Sequence, residues 1–358
     1  MKRIFTYQLV PGMKVAEDIY NYNRQLILPK GTILTDEIIT RLEFYSIISI
    51  YVTDEKPVAP PVPEVTENSY SQRLQATPEF QEFKQKYELE ISDFRDALND
   101  VVEKNTKLDF QALLDNVYNV LEHNNGPASL FDMLHNMREY SDSTFTHCMN
   151  VALICNTFAG WMHFSEEDTR MVTLCGLMHD IGKLMVPLDI LNKPDKLTED
   201  EFNIIKKHPV NGYKTLVSQN VNPIVCTAAL LHHEKCDGSG YPYGLKGERL
   251  DRFTKMVTIA DIYDAMTSAR IYRGPLCPFK VVELFEEEGY QKYDTDYLLT
   301  FLSHIVNTYI TYRVRLSNGQ EGEVVFINKY KLGRPTIKCG DEYIDLSVHP
   351  DLEIECII

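Results

Sequence analysis

The spacing of hydrophobic and polar positions changes twice along the chain. The pattern in the first region predicts a small unit of strands and a helix. The apolar run Gln25-Leu26-Ile27-Leu28 predicts a short strand, and the run from Ile47 to Val52 predicts another. Between them, Thr35 can cap a helix that begins at Asp36-Glu37, where acidic side chains suit the positive end of the helix. Residues 1–55 therefore predict a separate β/α module, to which we assign a regulatory role from its position alone.

Proline then interrupts the pattern. Four prolines lie within residues 56–64, where they cannot sustain a helix or a central strand. Polar residues continue to about Gln75. We expect residues 56–77 to form a semi-rigid linker.

From residue 78 to residue 310 the apolar positions recur with helical spacing. Val151, Ile154, Phe158 and Trp161 give one apolar helix face. Two capping patterns mark helix starts, namely Ser165 with Asp168 and Thr198 with Glu201. The second predicted helix begins at Thr198 and ends near His208-Pro209.

After residue 311 the spacing becomes that of strands. Val314–Leu316 and Glu323–Ile327 predict a hairpin across the turn Ser317-Asn318-Gly319. Further strands are predicted at Pro335–Lys338 and Tyr343–Leu346. The predicted fold class is mainly α, with a helical domain over residues 78–310 and a small β-appendage over residues 311–358.

Composition and cysteine usage exclude several classes of protein. Hydrophobic residues make up 44% and charged residues 25%, as in ordinary globular chains. No apolar run approaches the roughly 20 residues of a membrane helix, and polar residues after Lys2-Arg3 exclude a secretory signal. The eight cysteines include no Cys-x-x-Cys pair, so we expect reduced thiols and a cytoplasmic location without a membrane partner.

The net charge is −16, which argues against a nucleic-acid polymer as a partner. Such binding depends on Lys and Arg neutralising the phosphates. The charge does not exclude a small phosphate substrate, because bound divalent cations reverse the local field.

Five of the ten histidines stand in distinctive contexts, together with two aspartates. They are His147, His179, His208, His232, His233, Asp180 and Asp261. Imidazole and carboxylate suit Fe, Mn or Zn, and this many ligands can hold two ions. Alone, His147 on its apolar helix face is more simply explained as a core histidine satisfied by a hydrogen bond.

His179-Asp180 follows the apolar run Leu174–Met178, where an ionisable pair is costly unless it binds an ion or a charge. Lys183, one turn later, can orient a phosphoryl oxygen. The alternative is a plain Asp180–Lys183 salt bridge within a helix.

His232-His233 follows another buried-looking helical run, and consecutive helical side chains project about 100° apart. The next residue, Glu234, can support a ligand. Asp261 also lies among apolar residues. Arg270 and Arg273 are candidate phosphate contacts, because a guanidinium group can donate two hydrogen bonds to phosphate oxygens. The alternative is that both are ordinary solvated surface residues.

Taken together, these motifs resemble the HD-GYP family, a branch of the HD-domain metal-dependent phosphohydrolases that cleaves cyclic di-GMP. The matching segments are Thr146-His147, His179-Asp180-Ile181-Gly182-Lys183, Pro187, Ile190-Leu191, Lys193-Pro194, Leu197-Thr198, Glu201, His208-Pro209, His232-His233-Glu234, Asp237-Gly238-Ser239-Gly240-Tyr241-Pro242, Ala260-Asp261, Tyr263-Asp264-Ala265-Met266-Thr267 and Arg270 to Arg273. The resemblance implies an HD-type helical bundle.

The resemblance also implies a role for each matching residue. One metal is held by His147, His179, Asp180 and Asp261, and Asp180 bridges to a second held by His208, His232 and His233. Substrate phosphate is contacted by Lys183, Arg270 and Arg273, and the loop Gly240-Tyr241-Pro242 lies beside the site. Asp180 and Lys183 are the expected catalytic residues. Two ions are expected, since Ser143 replaces the glutamate that binds a third metal in some members and Asp142 is the nearest carboxylate.

The expected reaction is hydrolysis of cyclic di-GMP to pGpG and further to GMP in some relatives, by a hydroxide held between two metals. Fe or Mn is favoured over Zn for this histidine-rich set. Two alternatives stay open. One is a cyclic-dinucleotide receptor or adaptor without turnover, and the other is an HD phosphohydrolase of another nucleotide such as cyclic GMP-AMP. The helical stretch from residue 78 to residue 125 offers a surface for a homodimer.

Overall fold

The structure, a computed structural model, describes residues 1–20, 26–45, 47, 49–53, 70–104, 106–122, 129–137, 144–187, 190, 199–268 and 276–358. Helices dominate it, which confirms the prediction of a mainly α fold with a small C-terminal sheet. In this part of the chain, no helix combines the length and the apolar character that crossing a lipid bilayer requires.

The N-terminal segment forms the predicted β/α unit. Strand β1 (Lys2–Phe5) pairs antiparallel with β4 (Ser49–Val52), and β2 (Ile19–Tyr20) pairs antiparallel with β3 (Leu26–Leu28). In sequence, helix α1 (Asp36–Phe44) lies between β3 and β4. We call residues 1–53 the N-terminal module.

Local signals within this module act as the sequence indicates. The Ile38 amide donates to Thr35 Oγ1 at 3.2 Å, so Thr35 caps α1 as predicted. The module has an apolar cluster of its own, formed by Leu9, Val15, Ile19, Leu28, Leu34, Ile39, Leu42, Ile50 and Val52. Strand β1 was not predicted, because only its pairing with a strand more than forty residues away defines it.

The predicted linker over residues 56–77 is wrong at its C-terminal end. Residues 54–69 lie outside the described part of the chain, but helix α2 (Tyr70–Gln75) lies within the C-terminal end of the predicted linker. Tertiary contacts explain the helix: Leu74 is buried, and the Tyr70 hydroxyl donates to the Asp132 carboxylate.

The helices that follow form the helical domain, and most of them contribute to one continuous hydrophobic core. They are α3 (Pro78–Lys104), α4 (Phe110–Glu122), α5 (Leu130–Met137), α6 (Thr144–Trp161), α7 (Glu166–Met178), α8 (Glu199–Ile205), α9 (His208–Ser218), α10 (Pro223–Leu231), α11 (Arg252–Thr267), α12 (Pro278–Glu288) and α13 (Thr295–Thr308). The predicted apolar face of α6 is buried in the core, and burial extends beyond that face, since every residue from Cys148 to Cys155 is buried. Neighbours α3, α4, α7, α11 and α13 enclose it.

Two helix boundaries test the capping signals. Ser165 caps α7, and its hydroxyl accepts from the Asp168 amide at 3.2 Å, as predicted. The predicted helix running from Thr198 to near His208 is wrong, because α8 ends at Ile205 and His208 begins α9. Proline lacks an amide proton and suits the first turn, so Pro209 starts a helix here. Thr198 lies outside the described residues.

The C-terminal appendage is a five-stranded antiparallel sheet in the order β8-β7-β6-β5-β9. Its strands are β5 (Arg313–Leu316), β6 (Glu321–Asn328), β7 (Lys331–Cys339), β8 (Glu342–Asp345) and β9 (Ile354–Ile357). The predicted hairpin and both further strands are confirmed, whereas β9 was not predicted. The sheet is held to α12 by the Glu286 carboxylate, which accepts the Leu332 and Gly333 amides at 2.7 and 2.9 Å.

Candidate metal centre

Five helix ends or faces converge on one site in the helical domain. Each supplies residues predicted as metal ligands: His147 from α6, His179 and Asp180 after α7, His208 at the start of α9, His232 and His233 after α10, and Asp261 from α11. Their ligand atoms form two groups, each within 4.8 Å: His147, His179 and Asp261 in one, and Asp180, His208, His232 and His233 in the other. The structure thus brings all seven predicted ligands together.

The first group is centred on two imidazole nitrogens. His147 Nε2 lies 3.3 Å from His179 Nε2 and 3.0 Å from Asp261 Oδ1. His179 Nε2 lies 3.8 Å from the same Asp261 oxygen. Asp180 Oδ2 approaches this group from the side, 3.5 Å from His179 Nε2.

The second group repeats this arrangement. His208 Nε2 lies 3.3 Å from His232 Nε2 and 3.1 Å from His233 Nε2. The other Asp180 oxygen, Oδ1, lies 3.3 Å from His208 Nε2 and 3.6 Å from His232 Nε2. The Asp180 carboxylate therefore stands between the two groups, with one oxygen facing each.

Backbone carbonyls fix the tautomers of three of the histidines. The contacts are His179 Nδ1 with Gly176 O at 2.7 Å, His208 Nδ1 with Ile205 O at 2.9 Å and His232 Nδ1 with Ala229 O at 2.9 Å. A carbonyl can only accept, so each Nδ1 carries the proton and donates it. Each Nε2 then presents a lone pair to the site, which is the arrangement of a metal-binding imidazole.

The donor set fits divalent metal ions. Lone pairs on His208 Nε2 and His232 Nε2 face each other at 3.3 Å, which is repulsive unless a cation lies between them. Among the described residues, Asp180 Oδ1 and His233 Nδ1 are buried without a hydrogen-bond partner, although buried polar atoms are normally satisfied. Imidazole and carboxylate together suit Fe, Mn or Zn.

Burial keeps most of these histidines neutral, which is the form that binds metal. It lowers the pKa of His179 to about 4 and that of His208 to about 3, although Asp180 acts against it. Burial also lowers the pKa of His232 and of His233. For His147, burial opposes protonation, but hydrogen bonds to two aspartates raise its pKa to about 10.

Asp264 is one of those two aspartates, and the sequence analysis gave it no role in the site. Its Oδ2 lies 2.8 Å from His147 Nδ1, and its Oδ1 accepts from Asn150 Nδ2 at 3.0 Å. The Tyr87 hydroxyl in turn donates to Asn150 Oδ1. The available signal was the spacing, since Asp264 lies one helical turn after Asp261.

Lys183 contacts the bridging carboxylate directly. It lies in a 3-10 helix (Ile181–Met185), and its Nζ is 2.5 Å from Asp180 Oδ2. Burial alone would raise the pKa of Asp180, but Lys183 and the histidines hold it well below its usual range. The salt bridge offered as the alternative for this pair is therefore present, and it lies inside the site.

Gly182 sets how closely this 3-10 helix approaches α9. A Cβ atom at Gly182 would lie 1.9 Å from the His208 carbonyl oxygen and 2.5 Å from the Gly212 amide nitrogen. Only glycine permits this contact, which brings Asp180 next to His208.

The Gly-Tyr-Pro loop rests on the second group of ligands. A Cβ atom at Gly240 would lie 2.4 Å from the His233 carbonyl oxygen. The Tyr241 amide donates to that oxygen at 3.2 Å, and the two rings stack with centroids 4.6 Å apart. Pro242, which follows Tyr241, is half-buried. The loop is therefore placed beside His233.

Four residues named in the sequence analysis lie outside the described part of the chain. Arg270 and Arg273, the predicted phosphate contacts, lie outside the described residues, as do Asp142 and Ser143 at the position of a third metal. Their assignments stay predictions.

Comparison with known proteins finds similarity over part of the chain. Residues 125–297 match the family model described as HD domain. The chain is 33% identical over 221 residues to the cyclic di-GMP phosphodiesterase PA4108 of Pseudomonas aeruginosa, covering 61% of this chain and 52% of that protein. It is 40% identical over 148 residues to the 3'3'-cGAMP-specific phosphodiesterase 1 of Vibrio cholerae, covering 41% of this chain and 34% of that protein.

A solved structure of Bd1817, a HDG"Y"P protein from Bdellovibrio bacteriovorus, is similar with a TM-score of 0.48 and 18% identity. The alignment covers 84% of this chain and 97% of that chain. The chain spans 52% and 34% of the length of the two curated relatives named above.

Proposed function

We propose that this chain, whose residues 125–297 match the family model described as HD domain, is a metal-dependent phosphodiesterase that hydrolyses cyclic di-GMP. The observation that carries the proposal is the pair of ligand groups that share Asp180. A structural cluster of histidines would leave no reason for so many lone pairs to converge.

Each group would hold one divalent cation. His147, His179, Asp180 and Asp261 would hold the first, and Asp180 would share its carboxylate with the second, held by His208, His232 and His233. Such a pair of cations polarises a phosphodiester and lowers the pKa of water toward neutrality. Fe or Mn is the proposed identity.

The chain's own residues bind and orient the substrate in this proposal. The Lys183 ammonium, beside Asp180, is positioned to hold a non-bridging phosphate oxygen and to balance the charge that develops there. Gly240, Tyr241 and Pro242 would form one wall of the site, next to His233. Arg270 and Arg273 complete the proposed phosphate contacts.

Cyclic di-GMP is the proposed substrate because three relatives that are 33%, 40% and 38% identical to this chain over 221, 139 and 150 residues are named cyclic di-GMP phosphodiesterases. The proposed first product is the linear dinucleotide pGpG. The relative from Vibrio cholerae favours one other candidate, cyclic GMP-AMP. We also propose a cytoplasmic homodimer, and the eight free cysteines support the reducing location.

The test is a substrate panel on one preparation of the full chain reconstituted with Mn²⁺. Cyclic di-GMP, cyclic GMP-AMP and simple nucleotides are offered at equal concentration, and products are separated by chromatography. We expect pGpG from cyclic di-GMP at the highest kcat/KM. Faster cleavage of cyclic GMP-AMP would assign the second candidate instead.

A substitution of a proposed metal ligand shows whether the activity comes from this protein or from a contaminating enzyme. Asp180→Ala removes the shared carboxylate and should abolish turnover while circular dichroism shows the helical content retained. Binding of cyclic di-GMP by the metal-loaded wild type without any turnover would instead indicate a receptor and contradict the proposed activity.

A further inference from the structure

We propose that Lys235 is a positioning residue through which the N-terminal module holds the ligand-bearing segment His232-His233. The inference deepens the proposed function, because it concerns the same metal centre. It gives the module, residues 1–53, a defined route to the site.

The module reaches the helical domain through the end of α1. Phe44 and Tyr45 belong to the hydrophobic core of the helical domain and not to the module's own apolar cluster. The Phe44 side chain is fully buried, with its ring centroid 5.3 Å from that of Phe285 and 5.5 Å from that of Tyr293. Phe44 and Tyr45 thus attach the module to the helical domain by packing into its core.

Lys235 lies at this anchor and is only 2% exposed. Its Nζ donates to the Phe44 carbonyl oxygen at 2.5 Å. The same atom lies 5.6 Å from the Phe44 ring, 5.9 Å from the Tyr45 ring and 5.8 Å from the Tyr293 ring. A buried ammonium is costly without such partners, so the module supplies the carbonyl and two of the three rings that stabilise it.

The segment that carries Lys235 is also the segment that carries two metal ligands. Lys235 follows His232, His233 and Glu234 directly, and the Cys236 amide donates to the Lys292 carbonyl oxygen at 2.7 Å. A shift at Lys235 therefore moves His233, which is two residues away.

Glu234 extends the effect to the Gly-Tyr-Pro loop. Its carboxylate accepts the Tyr243 amide at 2.7 Å and the Leu245 amide at 2.9 Å. The side chain is fully buried, so these two bonds bind the loop to the ligand segment. The position of Lys235 thus bears on both the second metal group and the loop beside it.

A second contact between module and domain provides a matched control. Arg41 Nη2 lies 2.5 Å from Glu288 Oε1 at the end of α12, and the Tyr45 hydroxyl donates to the same carboxylate. Lys292 Nζ lies 3.3 Å from Glu288 and 4.2 Å from the centroid of the Tyr45 ring. The Arg41 side chain belongs to this interface but not to the ligand segment.

The test uses the full chain and measures Mn²⁺ affinity by titration, with kcat and KM for cyclic di-GMP alongside. Lys235→Met keeps the apolar stem and removes the ammonium. The change removes a buried charge but also takes a donor from the Phe44 carbonyl, so these opposing effects should leave only a small change in melting temperature without metal. We expect Mn²⁺ affinity to fall roughly 10-fold to 100-fold, as for other residues that orient ligands.

Phe44→Ala removes the module's ring that packs against Lys235, so it should also weaken Mn²⁺ binding. Arg41→Met perturbs the contact of the module with Glu288 and should keep wild-type Mn²⁺ affinity. Wild-type affinity in Lys235→Met would overturn the proposal, and so would equal losses in Lys235→Met and Arg41→Met. If wild type hydrolyses no cyclic dinucleotide but the affinity difference remains, the proposed activity fails and the positioning role stands.

Discussion

Asp264 Oδ2 lies 2.8 Å from His147 Nδ1, which leaves His147 Nε2 directed at the first ligand group. Carboxylates in this relation fix the ring of a metal ligand and raise its basicity. Asp264→Ala should therefore lower Mn²⁺ affinity roughly 10-fold to 100-fold, and isothermal titration measures it. Asp261→Ala, which removes a proposed ligand itself, should lose more.

Thr258→Val is the control for Asp264→Ala, since Thr258 lies on the same buried helix and its hydroxyl donates to the Thr254 carbonyl. It should keep wild-type Mn²⁺ affinity. Equal affinity in Asp264→Ala and wild type would mean that the carboxylate does not orient His147.

Gly182→Ala tests the close contact between the 3-10 helix and α9. The new Cβ would lie 1.9 Å from the His208 carbonyl oxygen, so the backbone must move and separate His208 from Asp180. We expect a loss of about 1–3 kcal/mol in the free energy of unfolding, typical of overpacking, measured by urea denaturation of the metal-free chain. Mn²⁺ affinity should fall as well.

Gly160→Ala is the matched control, because nothing lies within 4 Å of a Cβ at that position of α6. Alanine is favoured over glycine inside a helix by up to about 1 kcal/mol, so this variant should be as stable as wild type or more stable. A Gly182→Ala chain with wild-type stability would contradict the contact.

Lys183→Met separates phosphate binding from metal binding. The variant removes the ammonium that lies 2.5 Å from Asp180 Oδ2 and leaves every proposed ligand in place. We expect kcat for cyclic di-GMP to fall by roughly 100-fold or more, as when an electrostatic donor is removed, with two Mn²⁺ ions still bound per chain. An unchanged kcat would restrict Lys183 to its salt bridge.

The protonation of Asp132, which is not a proposed metal ligand, should make the stability of the chain depend on pH. Burial raises the pKa of Asp132 to about 6, although hydrogen bonds from the Tyr70 and Tyr312 hydroxyls oppose the rise. The folded chain thus holds this proton more tightly than the unfolded chain, whose pKa is near 3.8. The resulting stability is full below pH 4 and is lost as the pH rises through 6.

The whole effect is on the order of 3 kcal/mol for a shift of this size, and about 1 kcal/mol of it falls between pH 5 and pH 7. Urea denaturation of wild type and Asp132→Asn, both with a chelator, measures it at pH 5 and pH 7. Between these values the free energy of unfolding should fall more in wild type than in Asp132→Asn. Parallel changes in the two chains would contradict the raised pKa.

Local signals in the sequence were sufficient for several features. Thr35 and Ser165 cap helices because the capping side chain and the amide it accepts from are three residues apart. The buried context of His179-Asp180 likewise follows from the apolar run before it. In each case a few neighbouring residues determine the outcome.

Features that depend on distant residues were missed or wrong. The Asp264–His147 contact joins residues 117 positions apart, and the Lys235–Phe44 contact joins residues 191 positions apart. Neither leaves a periodic trace. The helix break before His208 is different, because its signal is local: Pro209 lacks an amide proton and therefore suits a helix start, not the helix end predicted for it.

The number of Mn²⁺ ions bound per chain tests the central claim most directly. The chain is stripped with a chelator and titrated with Mn²⁺, for wild type, His147→Ala and His208→Ala. We predict two ions for wild type and one tightly bound ion for each variant, since each variant damages a different group. A wild type that binds a single ion, or variants that both retain two, would contradict a two-metal centre built on Asp180.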